Sequence, residues 1–88
     1  MATSAFYDLF SPEEAVELEI RAALLSGLQD WLVRVELTQQ DAAERLRTTQ
    51  ARVSDINNGK ISKLSIDLLI KLAARAGLHP QVRLEAAA

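Results

Sequence analysis

Apolar residues recur along most of this chain at helical spacing. Leu18, Ala22, Leu25, Leu28, Leu32 and Val35 follow one another at steps of three or four and define one face of a long helix. Ile20, Leu24 and Trp31 form a second stripe on the same segment. A helix buried on one side needs only one stripe. The second predicts extra burial, against another part of the chain or another subunit. The start is well marked: Ser11 is placed to cap, Pro12 suits the first helical position, and Glu14 completes a capping box. Acids in the opening turns suit the positive end of the helix dipole. The pattern runs to about Glu36, and Gly27 is a place for a kink or a split.

Three shorter helices follow. Thr38 caps one over residues 39–46, with Ala42, Ala43 and Leu46 facing inward. Arg47 and Thr48 form a turn. Thr49 or Thr48 caps the next, over residues 50–57, with Val53 and Ile56 inward and Asn58-Gly59 closing it. Residues 60–64 read as a loop. Ser65 caps a last helix through Ile66, Leu69, Ile70, Leu72, Ala73 and Ala76, and Gly77 stops it. Residues 81–85, Gln-Val-Arg-Leu-Glu, alternate polar and apolar as a short strand does. A lone strand needs a partner, which a twin subunit would supply; the other reading is a frayed tail. The fold class is therefore all-α: a small helical bundle with a short C-terminal strand as an option. Residues 1–11 are expected to be a flexible tail whose aromatics Phe6, Tyr7 and Phe10 dock on a core or a partner, and residues 12–88 a single domain.

Composition narrows the function. With 88 residues, 49% of them apolar, the chain suffices for one small core. There is no Cys and a single His, His79, so disulfides, thiolate metal sites and histidine clusters are excluded, and no cofactor is expected. His79 follows a helix end, where a structural role is expected. No apolar run reaches the length of a membrane span, and the N-terminus lacks the pattern of a secretory signal, so a cytoplasmic protein is expected. No catalytic triad or phosphate-binding glycine loop is present, so no enzyme is expected. Net charge is −2, but it is divided: residues 1–36 carry seven acids and two bases, and residues 37–88 eight bases and five acids. The second half suits phosphates; the first suits a basic protein partner.

Two short helices joined by a tight turn, the second exposing small and amide side chains, form the layout of a DNA-reading helix-turn-helix. Gln39 stands where a helix end offers free N–H groups to a phosphate. Thr49 and Gln50 lie at the tip of the second helix, and a Gln there can both accept from and donate to adenine. Ala51 suits a thymine methyl, and Arg52 a guanine or a phosphate. Ser54 and Asp55 lie a turn further on; Asp55 would be repelled by phosphate and is expected to pair with Arg52 or Arg45. Asn58, Lys60 and Lys63 follow in the loop. Each polar residue could also be an ordinary solvated one. Trp31 is expected in the core or an interface.

The residues LTQQDAAERL…TTQARVSDINNGK resemble the XRE/Cro-like helix-turn-helix of phage repressors. The shared elements are Thr38-Gln39, Ala43, Leu46, Val53, Ile56 and Asn58-Gly59-Lys60. The segment ISKLSIDLLIKLAARAGLHPQVRLE looks like the version in HigA-type antitoxins and their stand-alone relatives. The resemblance implies that Gln39 contacts the DNA backbone, Gln50 reads a base, and Asn58, Lys60 and Lys63 touch phosphates. It implies a homodimer on double-stranded operator DNA and, if the chain is an antitoxin, a basic toxin as second partner. A stand-alone regulator and a protein-interaction module that has lost DNA binding are the alternatives. Arg47 departs from the family, which often has Gly there. Either Arg47 adopts a left-handed conformation at some cost or the turn differs.

Overall fold

Helix α1 forms where the cap, the proline and the acids predict it. In the computed structural model, which describes residues 10–86, it spans Pro12–Val35. The Ser11 hydroxyl accepts from the Glu14 N–H at 3.2 Å and donates to the Glu14 carboxylate at 2.9 Å, so the box closes on the hydroxyl itself. Gly27 neither splits nor ends the helix. The expected tail lies largely outside the described residues: Phe6 and Tyr7 fall there, and only Phe10 and Ser11 are within.

The remaining elements are α2, Gln39–Leu46, α3, Gln50–Asn57, a 3-10 turn at Ile61–Lys63, and α4, Ile66–Arg75. Each α-helix opens on a hydroxyl cap. Thr38 accepts from the Asp41 N–H at 3.1 Å, Thr49 from that of Arg52 at 3.1 Å, and Ser65 from that of Leu68 at 3.3 Å. At the head of α4 the Asp67 carboxyl is held below the ordinary carboxylate range. A hydrogen bond from the Ser65 hydroxyl is the main cause, helped by the Asp67 and Leu68 N–H groups and the Lys71 charge.

Three helices close with one device. After α2, Thr48 N–H bonds the Ala43 carbonyl at 2.9 Å and Arg47 N–H that of Glu44 at 3.1 Å. The same pair of bonds recurs around Gly59 after α3 and around Gly77 after α4. This paired closure needs a left-handed residue at its corner. Gly59 and Gly77 hold φ of 65° and 82°, and Arg47 holds 53°. Arg47 thus takes the left-handed conformation that Gly adopts at no steric cost.

α1 packs most extensively on α4, and α2 on α3. One core joins Leu25, Leu28 and Trp31 of α1 to Ala42, Ala43 and Leu46 of α2, Val53 and Ile56 of α3, Leu64, and Leu69, Leu72 and Ala73 of α4. The second stripe of α1 divides. Trp31 enters this core, Leu24 packs against it, and Ile20 stays exposed. Ala22, expected on the buried face, is also exposed. Residues 81–86 form no strand, and no strand occurs among the described residues. A ladder needs a second strand to supply its hydrogen bonds, and none lies alongside.

Candidate nucleic-acid interface

The α2–α3 pair is held from behind by two polar side chains that bridge distant parts of the chain. Gln29 of α1 donates its side-chain N–H to the Ile56 carbonyl at 3.0 Å and so fixes the end of α3. Arg75 of α4 donates to the carbonyls of Leu46 and Arg47, at 3.2 and 3.3 Å, and so grips the turn between α2 and α3. The periodicity points to neither. The only sequence signal for Gln29 is a polar residue within the apolar stripe, next to Leu28 and four after Leu25.

On the outer side, successive helical residues are turned by about 100°. Gln50, Ser54 and Asn58 therefore share one face of α3, with Ala51 beside them. Gln50, Ala51 and Asn58 are exposed and Ser54 is half-buried. Asn58 donates from its amide to the Ser54 hydroxyl at 3.2 Å, which ties the far end of this face together. Val53 and Ile56 anchor the opposite side in the core. Thr49 is exposed at the tip, its hydroxyl occupied as an acceptor by the cap. Thr38 is likewise exposed and capping, and Gln39 projects at the head of α2.

Arg52 behaves differently from the expectation. Its guanidinium donates to the Lys63 carbonyl at 2.9 Å, and it pairs with no carboxylate among the described residues. The expected Asp55 ion pair with Arg52 or Arg45 does not form. Asp55, three residues on, is a neighbour on the same side of the helix, but the guanidinium turns instead to the backbone of the 3-10 turn. There it fixes the backbone that carries Lys63. Lys60 and Lys63 are both exposed, with the turn between them closed by a Lys63 N–H to Lys60 carbonyl bond of 3.0 Å.

Nine of the ten candidate residues are thus exposed or half-buried, at the start of α2, along and just after α3 and in the 3-10 turn, while the tenth, Arg52, also braces the loop. Chemically these residues offer amide and hydroxyl groups on α3 and ammonium groups in the turn that follows it. That suits base edges flanked by phosphates. Among the described residues no helix is long and apolar enough to cross a membrane. No curated protein matches the chain. A family profile described as a helix-turn-helix domain does match, over residues 5–85, which include every element above. The chain belongs to the helix-turn-helix domain family of DNA-binding regulators.

Proposed function

We propose that this protein is a sequence-specific, XRE-type transcriptional repressor of the cytoplasm that binds operator DNA as a homodimer. We further propose that it is the antitoxin of a toxin–antitoxin pair and represses its own operon. The observation that carries the DNA reading is the ordered polar face of α3, Gln50, Ser54 and Asn58 with Ala51, set on a buried apolar back. In this docking α3 lies in the major groove. Gln50, Ala51, Ser54 and Thr49 meet base edges, and Thr38, Gln39, Asn58, Lys60 and Lys63 meet the backbone. Arg52 holds the backbone of Lys63 with one guanidinium nitrogen, and its remaining N–H groups are proposed to meet a guanine or a phosphate. Two subunits would set their α3 helices about 34 Å apart, one turn of DNA.

Selection from random duplexes followed by titration tests this reading. A palindromic site should emerge, and Gln50→Ala should weaken binding to it by about 1–3 kcal/mol while relaxing preference at one base pair. Selection that yields no preferred duplex would leave a protein-interaction module in its place. The antitoxin role is motivated by the acidic first half of the chain, and above all by Glu13, Glu17 and Arg21 along one side of α1. Glu17 and Arg21 are already paired there. Removing residues 1–10 and changing Glu13 and Glu17 to Lys should impair neutralisation of a basic toxin and spare operator binding. Lack of any toxin-like partner in pull-downs from the native host would leave a stand-alone regulator.

A further inference from the structure

Asp55 is half-buried on α3, and its carboxylate has no hydrogen-bond or ion-pair partner among the described residues. Its place on the helix turns it outward. The buried Val53 and Ile56 mark the inward direction of α3. At about 100° per residue, Ala51 and Asn58 lie within about 10° of the opposite direction, and Ser54 and Asp55 about 50° to either side of it. A docking that brings Ser54 to base edges therefore brings Asp55 equally near, one turn on from Ala51. The backbone beneath is fixed as well, since the Asp55 carbonyl accepts from the Lys60 N–H at 2.9 Å. Asp55 is thus the one charged residue in the outward quartet of Ala51, Ser54, Asp55 and Asn58.

The chemistry of a carboxylate selects what can face it. Ionised, it accepts hydrogen bonds and donates none. Phosphate oxygens repel it, and the O6 and N7 of guanine and the O4 of thymine offer it only acceptors. The major groove presents two amines, on adenine and on cytosine. The adenine amine stands beside the N7 acceptor of the same base, whereas the cytosine edge carries no acceptor. We infer that Asp55 is a specificity-determining residue that accepts from the amine of a cytosine. Gln50 lies five residues back, about 7.5 Å along the helix axis, so the cytosine belongs to a different base pair from the one Gln50 reads. The inference rests on the DNA reading proposed above and adds a base to it. Asp55 acts chiefly by exclusion: where guanine or thymine stands, docking strips water from the carboxylate and leaves it without a donor. The Gln50 amide both accepts and donates, and so tolerates edges that Asp55 rejects.

Asp55→Asn keeps the shape of the side chain and replaces its charge with an amide, which can pair with adenine. Duplexes selected from a random pool by the full natural chain should hold cytosine at one position of each half-site. Selection by Asp55→Asn should admit adenine at that position and leave the others as they were. Binding by the natural chain should fall about tenfold when that cytosine is replaced by an analogue without its 4-amino group. Asp55→Ala should be indifferent to the same replacement, which closes a double-mutant cycle between side chain and amine. A cooperative thermal transition in both variants keeps loss of the fold out of the comparison. If both variants select the same sequence as the natural chain, the inference is overturned. That holds even if they bind every duplex more tightly, as removal of a merely repelled charge would make them do. In that outcome the repressor stands and the Asp55 assignment alone falls. A natural chain that selects no sequence overturns both.

Discussion

The surface around α3 and the surface shared by α1, α4 and the C-terminal segment are made of opposite materials. Around α3 the exposed groups are mostly amides, hydroxyls and ammonium groups, with Val33 an exposed apolar residue beside Gln39 and Asn57, and several are bonded into place within the chain: Asn58 to Ser54, Arg52 to Lys63, Gln29 behind Ile56. On the other surface the exposed groups are Val16, Ile20, Ile70, Val82 and Leu84, and the backbone beside the last two is unpaired. The difference teaches how a chain of this size divides its limited apolar content. The core positions one polar face completely. Most of the apolar surface left over lies on the α1–α4 side, where another molecule is a better neighbour than water.

The sharpest way to break this comparison is to truncate one apolar residue from each region. Leu28 is fully buried, and Leu28→Ala should destabilise the fold by about 2–5 kcal/mol in urea titrations. Ile70→Ser should change the stability of dilute protein by no more than about 0.5 kcal/mol, since Ile70 lies outside the core of the single chain. If Ile70→Ser were as damaging as Leu28→Ala, the back surface would belong to the core.

A second pair of variants addresses the turn at Arg47. Arg75→Met removes two hydrogen bonds to its carbonyls and should cost about 1–3 kcal/mol. Arg47→Gly should gain about 0.5–1 kcal/mol by relieving the left-handed backbone. The two changes should be non-additive in a double-mutant cycle, because Arg75 supports the residue that is strained. Additive effects would mean that Arg75 merely covers the turn.

Lys63→Ala should leave stability unaltered. Its effect is expected in the salt dependence of DNA binding, where the slope should fall by about 0.9 for each phosphate that is no longer neutralised. An unchanged slope with a changed base preference would move Lys63 from the backbone to the bases.

The smallest expected effect is at Asp67, on neither surface's chemistry. Its carboxyl is lowered in the folded chain, so the charged form stabilises the fold above the ordinary carboxylate range and that contribution is lost as pH falls through the lowered value. The thermal midpoint of the natural chain should exceed that of Asp67→Asn slightly at neutral pH, and the gap should close in acid. A gap that widened in acid would reverse the assignment.

Helix ends were legible because they depend on neighbours in sequence. Thr38, Thr49 and Ser65 cap the helices they precede, and Gly59 and Gly77 close the helices they follow. The exposed face of α3 was legible for a similar reason, since its period and its two apolar anchors leave Gln50, Ser54 and Asn58 together. What periodicity does not carry is the choice among distant partners. Gln29 and Arg75 find carbonyls 27 to 29 residues away. Arg52 has a carboxylate three residues on, yet it bonds a carbonyl eleven residues away. Nor does periodicity say how wide a buried face is: Trp31 and Leu24 are claimed by the chain's own core, and Ile20 on the same stripe is not. The alternation at residues 81–85 signals strand chemistry but cannot supply the neighbour that makes a strand.

Trp31 is the chain's single tryptophan, and it sits at 5% exposure in the core where α1 meets the other helices. The protein therefore contains its own optical gauge of framework integrity. Indole emission should be blue while the interior is dry and turn red when it is wetted, with no label required. Because the ring is on the inside, operator bound at the outer rim of α3 has no direct route to quench it. An emission change on adding DNA would then register a rearrangement of the scaffold, and a silent signal would identify recognition by a rigid body.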